Sequence, residues 1–345
     1  MNKPIKTYTY VQLVDLMVHL KQPKFRAKQL FEWLYKRGVS SYDEMTNLPA
    51  TLREELEQSN PLHTPEVLEH ATSKDGTHKF LLQFHDGATA ETVLIPSPSG
   101  EKATVCISTQ AGCPMACEFC ATGKEGLTRS LSLGEIVDQV LVAKGATNVS
   151  VSNVVAMGQG EPFLNYSSTI EALRVINSKD ALNIGARRIC VSTCGVIEGI
   201  QKLSCEPEQF TLAVSLHSAI QETRDRMMPK VANQTLGELR HALVDYVAKT
   251  NRRVTFEYIM TAGLNDTQEH LNALISYCKG LLCHVNFIQL NPVPGSQYKP
   301  SSLNVVKYWC KALNESGTEA TIRRSHGSDI AGACGQLKNT YSNKH

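Results

Sequence analysis

The chain has 345 residues, of which 42% are hydrophobic, and its formal net charge is +2. That length suits one large α/β domain with a small accessory domain, built around a full apolar core. The nearly balanced charge excludes a strongly basic protein, so any binding to nucleic acid must come from local patches.

The first residues, Met1 to Pro4, lead into polar residues and not into an apolar leader segment. No apolar run is long enough to cross a bilayer. We therefore expect a cytoplasmic protein that does not span a membrane. In such reducing surroundings, eleven cysteines indicate metal or redox chemistry more than stable disulfides.

Residues 9–62 are predicted to form short helices. Apolar residues recur at helical spacing from Val11 to Leu20, and again from Leu48 to Leu56. Between them, Phe25 to Tyr35 places aromatic residues among five cations, which are Lys24, Arg26, Lys28, Lys36 and Arg37. Cations beside aromatic rings are typical of an RNA-docking face, and a solvated helix face over an aromatic core is the alternative.

A change of pattern follows over residues 66–96. Lys79–Phe84 and Glu91–Ile95 predict a hairpin of two strands. The turn-rich stretch Pro96–Gly100 predicts a link between domains. We therefore expect an accessory, RNA-docking domain in residues 1–96, a core domain in residues 97–325 and a C-terminal segment in residues 326–345.

Strands and helices alternate in the core. The predicted strands are Ala103–Thr109, Ser152–Met157, Arg187–Thr193, Phe210–Leu216, Arg253–Met260 and His284–Leu290. Helical patterns lie between them, and Ser132 with Glu135 predicts a capping box at the start of the first. Six βα units in series predict an α/β fold with a partial (β/α)6 barrel, and an open doubly wound sheet is the alternative.

Three thiols follow the first predicted strand, at Cys113, Cys117 and Cys120. This C-x3-C-x2-C loop is able to wrap three thiolates around one soft metal centre. A structural zinc site needs four protein ligands, and no second C-x-x-C or pair of histidines follows. Three ligands suit a [4Fe-4S] cluster that keeps one iron open, and three buried free cysteines are the alternative.

Polar and glycine-rich residues follow the other strands, at the end where barrel enzymes build their active sites. Gly160 and Glu161 follow the second strand, and Glu161 could bind a ligand ammonium, anchor its loop or be a surface carboxylate. His217 could bond a ligand ribose or be a structural histidine. The remaining polar positions on this rim are Ser192, Ser215 and Asn291.

Two cysteines outside the loop also stand out. Cys334 lies between small residues near the C-terminus, with Arg323, Arg324 and His326 nearby to favour a thiolate. It is therefore a candidate nucleophile. Cys106 lies in the first predicted strand of the core, where a small buried hydrophobe is the usual interpretation.

The spacing of the three thiols resembles that of the radical S-adenosylmethionine (SAM) superfamily. The wider sequence resembles the RlmN/Cfr family of RNA adenine methyltransferases, and its RlmN branch more than Cfr, over nearly the whole chain. Gln159 departs from the family's methionine, and Ile330–Gly332 departs from its usual Asp-Ala run. The matching stretches are Glu91–Val93, Ser108–Gly123, Gly160–Pro162, Ser192–Thr193, Ser215–His217, Asn291–Pro292 and Ala333–Leu337.

The resemblance implies a role for each matching residue. Cys113, Cys117 and Cys120 would hold the [4Fe-4S] cluster. Cys334 would carry a methyl group taken from one SAM, Cys106 would form a transient disulfide with it, and Glu91 would accept a proton. The residues that would line SAM are Gly160, Glu161, Ser192, Ser215, Leu216, His217 and Asn291.

The resemblance also implies the reaction and the partners. The product would be adenosine methylated at C2 in 23S rRNA and in tRNA, made by a monomer that takes electrons from a flavodoxin or ferredoxin. A radical route is needed because C2–H of adenine is not nucleophilic enough to attack a sulfonium methyl group. Two alternatives remain: a Cfr-like C8 methyltransferase, and a noncatalytic iron–sulfur or zinc module that binds RNA.

Overall fold

The structure is a computed structural model that describes residues 3–147, 149–291, 293 and 295–338. Pro292 and Pro294, in one matching stretch, lie outside the described residues, as do residues 339–345 of the predicted C-terminal segment. The first helices are α1 (Tyr10–His19), α2 (Phe25–Glu32), which continues into a π-helical turn at Trp33–Arg37, and α3 (Ala50–Ser59).

These three helices pack their apolar side chains into the same core as the barrel. Phe31, Trp33 and Leu34 of the predicted docking face are all buried, whereas Phe25 is 59% exposed. The guanidinium of Arg37 lies 4.1 Å from the centre of the Trp33 ring, and the ammonium of Lys28 pairs with Asp180 at 3.2 Å. An RNA-docking role for this face stays a prediction.

Twelve strands follow in the described part of the chain, ten of them in one sheet. Their bounds are β1 (Glu66–Thr72), β2 (His78–Gln83), β3 (Thr89–Pro96), β4 (Lys102–Cys106), β5 (Gln110–Gly112), β6 (Leu127–Ser130), β7 (Ser150–Ala156), β8 (Ile189–Thr193), β9 (Thr211–Ser215), β10 (Val254–Met260), β11 (Cys283–Gln289) and β12 (Glu319–Arg323). The order in the large sheet is β1-β2-β3-β4-β7-β8-β9-β10-β11-β12, and β5 pairs with β6 separately.

The part of the sheet from β4 to β12 is parallel, and helices connect its strands. The six predicted core strands are all present, and β12 is an additional one. Arg323 at the end of β12 donates to Met157 Sδ, beyond the end of β7, at 3.6 Å. Because β7 and β12 lie far apart in the sheet order, this contact requires the sheet to curve into the predicted partial barrel.

Within the residues that the structure describes, eight α-helices accompany the barrel. Their bounds are α4 (Ala121–Glu125), α5 (Leu133–Gly145), α6 (Tyr166–Asn177), α7 (Ile197–Leu203), α8 (Gln221–Met227), α9 (Leu236–Thr250), α10 (Gln268–Cys278) and α11 (Leu303–Glu315). The predicted capping box begins α5, where Ser132 Oγ accepts from the Glu135 amide and the Glu135 carboxylate accepts from the Ser132 amide. Among the described residues, no helix combines the length and apolarity that a membrane crossing needs.

The predicted hairpin is continuous with the barrel. Strands β1, β2 and β3 are antiparallel, and β3 pairs with β4 so that Val93 lies opposite Cys106. The sequence predicted two of these three strands. The hairpin and the barrel therefore share one hydrogen-bonded sheet, and the division into domains stays a prediction.

A buried ion pair fixes the N-terminal helices to the barrel. Lys6 Nζ lies 2.7 Å from Asp138 Oδ1 on α5, and each of the two side chains is 6% exposed. Burial raises the pKa of Asp138, and the Lys6 ammonium counteracts that rise. Each charge offsets the cost of burying the other, because an unpaired charge in the interior is strongly unfavourable.

We expect Asp138→Ala to lower the free energy of unfolding by about 3–5 kcal/mol, because the Lys6 ammonium is left buried without a partner. Denaturant unfolding measured beside the wild type checks this value. The double variant Lys6→Met, Asp138→Leu is the matched control, and it should stay close to the wild type because neither charge is then buried. A single variant as stable as the wild type would contradict the prediction.

Candidate active site

The candidate site is a cavity of about 190 Å³ at the carboxyl ends of the barrel strands. Its wall draws on the loop of three thiols and on the ends of β4, β7, β8, β9, β10 and β12. The lining includes Cys106, Cys117, Cys120, Gly160, Glu161, Ser192, Ser215, His217, Glu257, Arg323 and Cys334. The sequence had predicted a reactive rim at this end of the barrel.

The loop of three thiols has a tightly specified backbone. A Cβ atom on Gly112, whose φ is +76°, would lie 2.1 Å from the carbonyl oxygen of Gly126. On Gly123 a Cβ would lie 2.9 Å from the Cys117 amide nitrogen. Since real side chains do not approach so closely, glycine is required at both positions, and the loop is held in one conformation.

The protonation of these three thiols depends on whether a metal is bound. Burial raises the pKa of Cys113 to about 11 and raises the pKa values of Cys117 and Cys120 as well. Bare thiols here would stay protonated at neutral pH. A metal centre would hold them as thiolates, because a coordinated thiol loses its proton.

The placement of the three loop sulfurs argues against a single zinc ion. Two sulfurs on one zinc lie at most about 4.6 Å apart, which is twice the Zn–S bond length of about 2.3 Å. Among the described residues, the group of ligand atoms that falls within 4.8 Å is that of His85, Asp86 and Glu135, not that of the three thiols. The three loop sulfurs therefore do not all lie within 4.8 Å of one another, as three ligands of one zinc ion would.

The loop after β7 brings backbone close to the cavity. A Cβ on Gly158 would lie 2.6 Å from Ser108 Oγ, and one on Gly160, whose φ is +99°, would lie 2.7 Å from the Gln110 side chain. Glu161 anchors this loop, since its carboxylate accepts from the amides of Phe163 at 3.0 Å and Cys194 at 2.8 Å. Of the three interpretations of Glu161, the anchor is therefore the one that these contacts support.

Ser215 and His217 both line the cavity at the end of β9. His217 Nδ1 accepts from the Ile259 amide at 3.1 Å. Burial, followed by the charge of Arg224, lowers the pKa of His217 to about 3, so the ring is neutral and Nε2 carries its proton. His217 is thus a hydrogen-bond donor in the wall of the cavity.

Two of the predicted SAM-lining residues occupy other surroundings. Leu216 lies between Ser215 and His217, and its side chain is fully buried in the main apolar core, as the alternation along a strand requires. Asn291 is buried, and its Nδ2 donates to the Cys334 carbonyl at 3.1 Å. In this structure Asn291 therefore contacts the segment that carries Cys334.

Cys106 and Cys334 line the same cavity as Cys117 and Cys120. Cys106 is buried between Val93 and Leu337, and burial, followed by the charge of Cys334, raises its pKa to about 12. Cys334 is half-buried. All eleven cysteines are free thiols, so the structure contains no disulfide between these two.

Glu91 lies on β3, two residues before Val93, the residue that pairs with Cys106, and it is not among the residues that line the cavity. Its carboxylate pairs with Lys79 Nζ at 2.8 Å and accepts from the Lys338 amide at 2.6 Å. Gln159, which departs from the family pattern, accepts from the Glu91 amide through Oε1 at 3.1 Å. Burial raises the pKa of Glu91, while Lys79 counteracts that rise.

Glu257 is a site residue that the sequence analysis missed. It is 5% exposed on β10 and lines the cavity. Oε1 accepts from Asn286 at 3.0 Å and lies 3.7 Å from Arg323, whereas Oε2 has no hydrogen-bond partner among the described residues. A charged residue within the apolar run Val254–Met260 was the signal in the sequence.

Comparisons with known proteins agree with this geometry. Residues 5–61 match the model of the ribosomal RNA large subunit methyltransferase N-terminal domain, and residues 107–278 match that of the radical SAM superfamily. A probable dual-specificity RNA methyltransferase RlmN from Clostridium novyi is 43% identical over 98% of both chains. One from Staphylococcus aureus is 46% identical over 97% of this chain and 92% of its own.

A solved structure extends the likeness to three dimensions. The crystal structure of a radical SAM methyltransferase from Sphaerobacter thermophilus superposes with a TM-score of 0.92 and 40% sequence identity. The match covers 98% of this chain and 100% of that one. The similarity therefore includes the N-terminal helices, the barrel and the C-terminal segment together.

Proposed function

Because the chain belongs to the RlmN family of radical SAM RNA methyltransferases, we propose that it methylates C2 of adenosine in 23S rRNA and in tRNA, through a methyl group carried on Cys334. The observation that carries this proposal is the shared cavity of Cys106, Cys334 and two thiols of the cluster loop. A protein that only binds RNA would not need two further thiols at that place. Family membership also excludes the noncatalytic alternative.

The cofactors of the family are a [4Fe-4S] cluster and SAM. When bound, the cluster supplies the electron that cleaves SAM, and SAM supplies both the methyl carbon and the radical that activates it. Cys113, Cys117 and Cys120 would hold the cluster. The backbone at Gly160, the hydroxyls of Ser192 and Ser215 and the Nε2–H of His217 would hold SAM.

The last step uses this chain's own thiols, once the methyl carbon joins the base to Cys334 as a methylene. Cys106 gives up its proton as its sulfur attacks Cys334 Sγ, an S–S bond forms and the bond from sulfur to the methylene carbon breaks. The electron pair of the broken bond goes to the carbon, which takes a proton and becomes the methyl group. The two cysteines are oxidised to a disulfide as the carbon is reduced.

We also propose the partners that the family resemblance implies. A flavodoxin or ferredoxin supplies electrons, the protein acts as a monomer, and it works in the cytoplasm on 23S rRNA and tRNA. Its accessory domain takes part in RNA docking. The polar contacts of Asn291 and Glu161 support roles in positioning Cys334 and the SAM-binding loop.

The proposal is tested by incubating the anaerobic holoenzyme with SAM, dithionite and ribosomal or transfer RNA. Mass spectrometry of the nucleosides should detect 2-methyladenosine, and the Cys334 peptide should carry an S-methyl group. Detection of 8-methyladenosine in its place would identify the Cfr-like alternative. RNA without any methylated adenosine would overturn the proposal.

Glu91 is proposed as the base that takes the proton from C2. A base must be ionised, so methylation should fall as the pH drops through the pKa of Glu91, which burial raises above the usual range. The acid limb should therefore lie above pH 4.5, the ordinary value for glutamate. Glu91→Gln should remove this limb and slow the reaction by about 100-fold or more.

Single-turnover rates measured against pH check this prediction. Glu101→Gln is the matched control, because Glu101 is exposed and lies outside the residues that line the cavity. Its profile should follow that of the wild type. An acid limb that persists in Glu91→Gln would assign the titrating group elsewhere.

A further inference from the structure

The segment that carries Cys334 is fastened to the turn between β1 and β2. Asp75 Oδ2 accepts from the Gly327 amide at 3.1 Å and lies 3.3 Å from His326 Nδ1. Asp329 Oδ1 accepts from Ser73 Oγ at 2.5 Å, and its Oδ2 accepts from the Lys74 amide at 3.2 Å. Two carboxylates, one from each side, thus join residues 73–75 to residues 326–329; we call these contacts the turn clamp.

The turn between β1 and β2 also packs closely against the segment that carries Cys334, beside the clamp. Gly327 has φ +65°, and a Cβ there would lie 2.9 Å from the Thr77 Cγ2 atom. Asp75 Oδ1 accepts from the Thr77 amide at 3.0 Å, which fixes the shape of the turn. The Gly327 carbonyl accepts from the Gly332 amide at 2.8 Å and folds the segment back on itself just before Cys334.

The far end of the segment is tied to the cluster loop and its helix. The Ala121 amide donates to the Gly335 carbonyl at 2.8 Å, and Thr122 Oγ1 donates to the Leu337 carbonyl at 2.7 Å. Cys334, whose carbonyl accepts from Asn291 Nδ2, therefore lies between a buried attachment at α4 and a partly exposed attachment at the turn clamp. Each attachment restricts where its sulfur can reach.

The two attachments differ in their exposure to water. The side chains of Asp75 and His326 are 38% and 40% exposed, whereas Thr122 and Leu337 are buried. The Ser73 hydroxyl and the Lys74 amide lower the pKa of Asp329, so this carboxylate is charged at neutral pH. Exposed charged contacts contribute less than buried ones, so we expect the clamp to open more easily than the attachment at α4.

We propose that Asp75 and Asp329 are positioning residues which, through the turn clamp, hold the Cys334 sulfur at the cavity. The consequence for catalysis rests on the proposed function, because only a methyl carrier needs such placement. Neither carboxylate contacts the reacting atoms. Their effect passes along residues 326–333 to the thiol.

The test uses the double variant Asp75→Asn, Asp329→Asn in the anaerobic full-length holoenzyme. Each change replaces one carboxylate oxygen by an NH2 group at almost constant volume. The NH2 group cannot accept a hydrogen bond, so one donor loses its acceptor at each position. Hydrogen–deuterium exchange of peptides covering residues 330–338 should accelerate by about tenfold. The two amides that lose their acceptors are those of Lys74 and Gly327, and both lie outside residues 330–338. Faster exchange over residues 330–338 would therefore report movement of the whole segment.

The matched control is Glu66→Gln, Glu69→Gln. It makes the same change of charge on exposed β1 carboxylates, which form no hydrogen bond or ion pair with other described residues. Its exchange should equal that of the wild type. Equal exchange over residues 330–338 in the clamp variant and this control would overturn the proposal.

A second measurement distinguishes a misplaced Cys334 sulfur from general damage to the fold. With the sulfur misplaced, SAM is still cleaved while less methyl reaches RNA, so the ratio of 5′-deoxyadenosine to methylated adenosine should rise about tenfold. A damaged fold would lower both products together and leave the ratio constant, which would contradict the proposal. Absence of methylated adenosine from the wild type would refute the proposed function instead, and the exchange rates would still decide the clamp.

Discussion

Replacing Cys334 with alanine is expected to abolish adenosine methylation while the cluster still assembles. The carbon has no other carrier, because a sulfur must hold the methyl group within reach of the activating radical. Cys334 lines the cavity but is not one of the three loop thiols, so iron content should not change. Nucleoside mass spectrometry measures the first effect, and iron analysis measures the second.

The control for this experiment is Cys205→Ala. Cys205 is an exposed thiol that does not line the cavity, so its removal should leave methylation at the wild-type level. Methylated adenosine formed by Cys334→Ala at a rate near that of the wild type would refute the S-methylcysteine route. Loss of iron from that variant would show that the thiol supports the cluster.

Replacing Cys106 with alanine is expected to stop the reaction one step later. Without this thiol nothing attacks Cys334 Sγ, so the base stays bonded to the protein through its methylene carbon. The expected result is a covalent complex of protein and RNA with almost no released product. A denaturing gel with labelled RNA detects the complex, because a noncovalent one dissociates there.

Cys334 acts before Cys106 in the proposed reaction, so the covalent complex should form only when Cys334 is present. The double variant Cys106→Ala, Cys334→Ala should form no complex, because the carbon is never loaded. Cys205→Ala again serves as the control with normal turnover. Free methylated RNA from Cys106→Ala, at the rate of the wild type, would show that another group releases the product.

The local parts of the site were readable from the sequence. The three loop thiols lie within eight residues, and the polar residues of the rim directly follow apolar strands. Spacing and alternation report such features because they depend on neighbours in the chain. The six core strands and the position of Cys334 near the loop thiols agree with the expectations drawn from that pattern and from the family resemblance.

Other parts of the fold and of the site depend on contacts between residues far apart in the chain, which local sequence patterns do not report. The burial pattern of β1 lacks the alternation of a half-buried strand, and β12 is short and partly exposed, so neither was predicted. The turn clamp joins residues about 250 positions apart, and Glu257 on β10 meets Arg323 on β12 only when both strands have paired with β11. Each of these requires the folded chain.

The strand β4 is not an edge strand, because β3 of the hairpin pairs with it and covers that side of the barrel sheet. A shortened chain starting at residue 97 would present the backbone of β4 unpaired to solvent, at the strand that ends in Cys106. Such an edge invites strand addition from a second molecule and leads to aggregation. Residues 66–96 thus act as a protective border for the barrel, in addition to carrying Glu91.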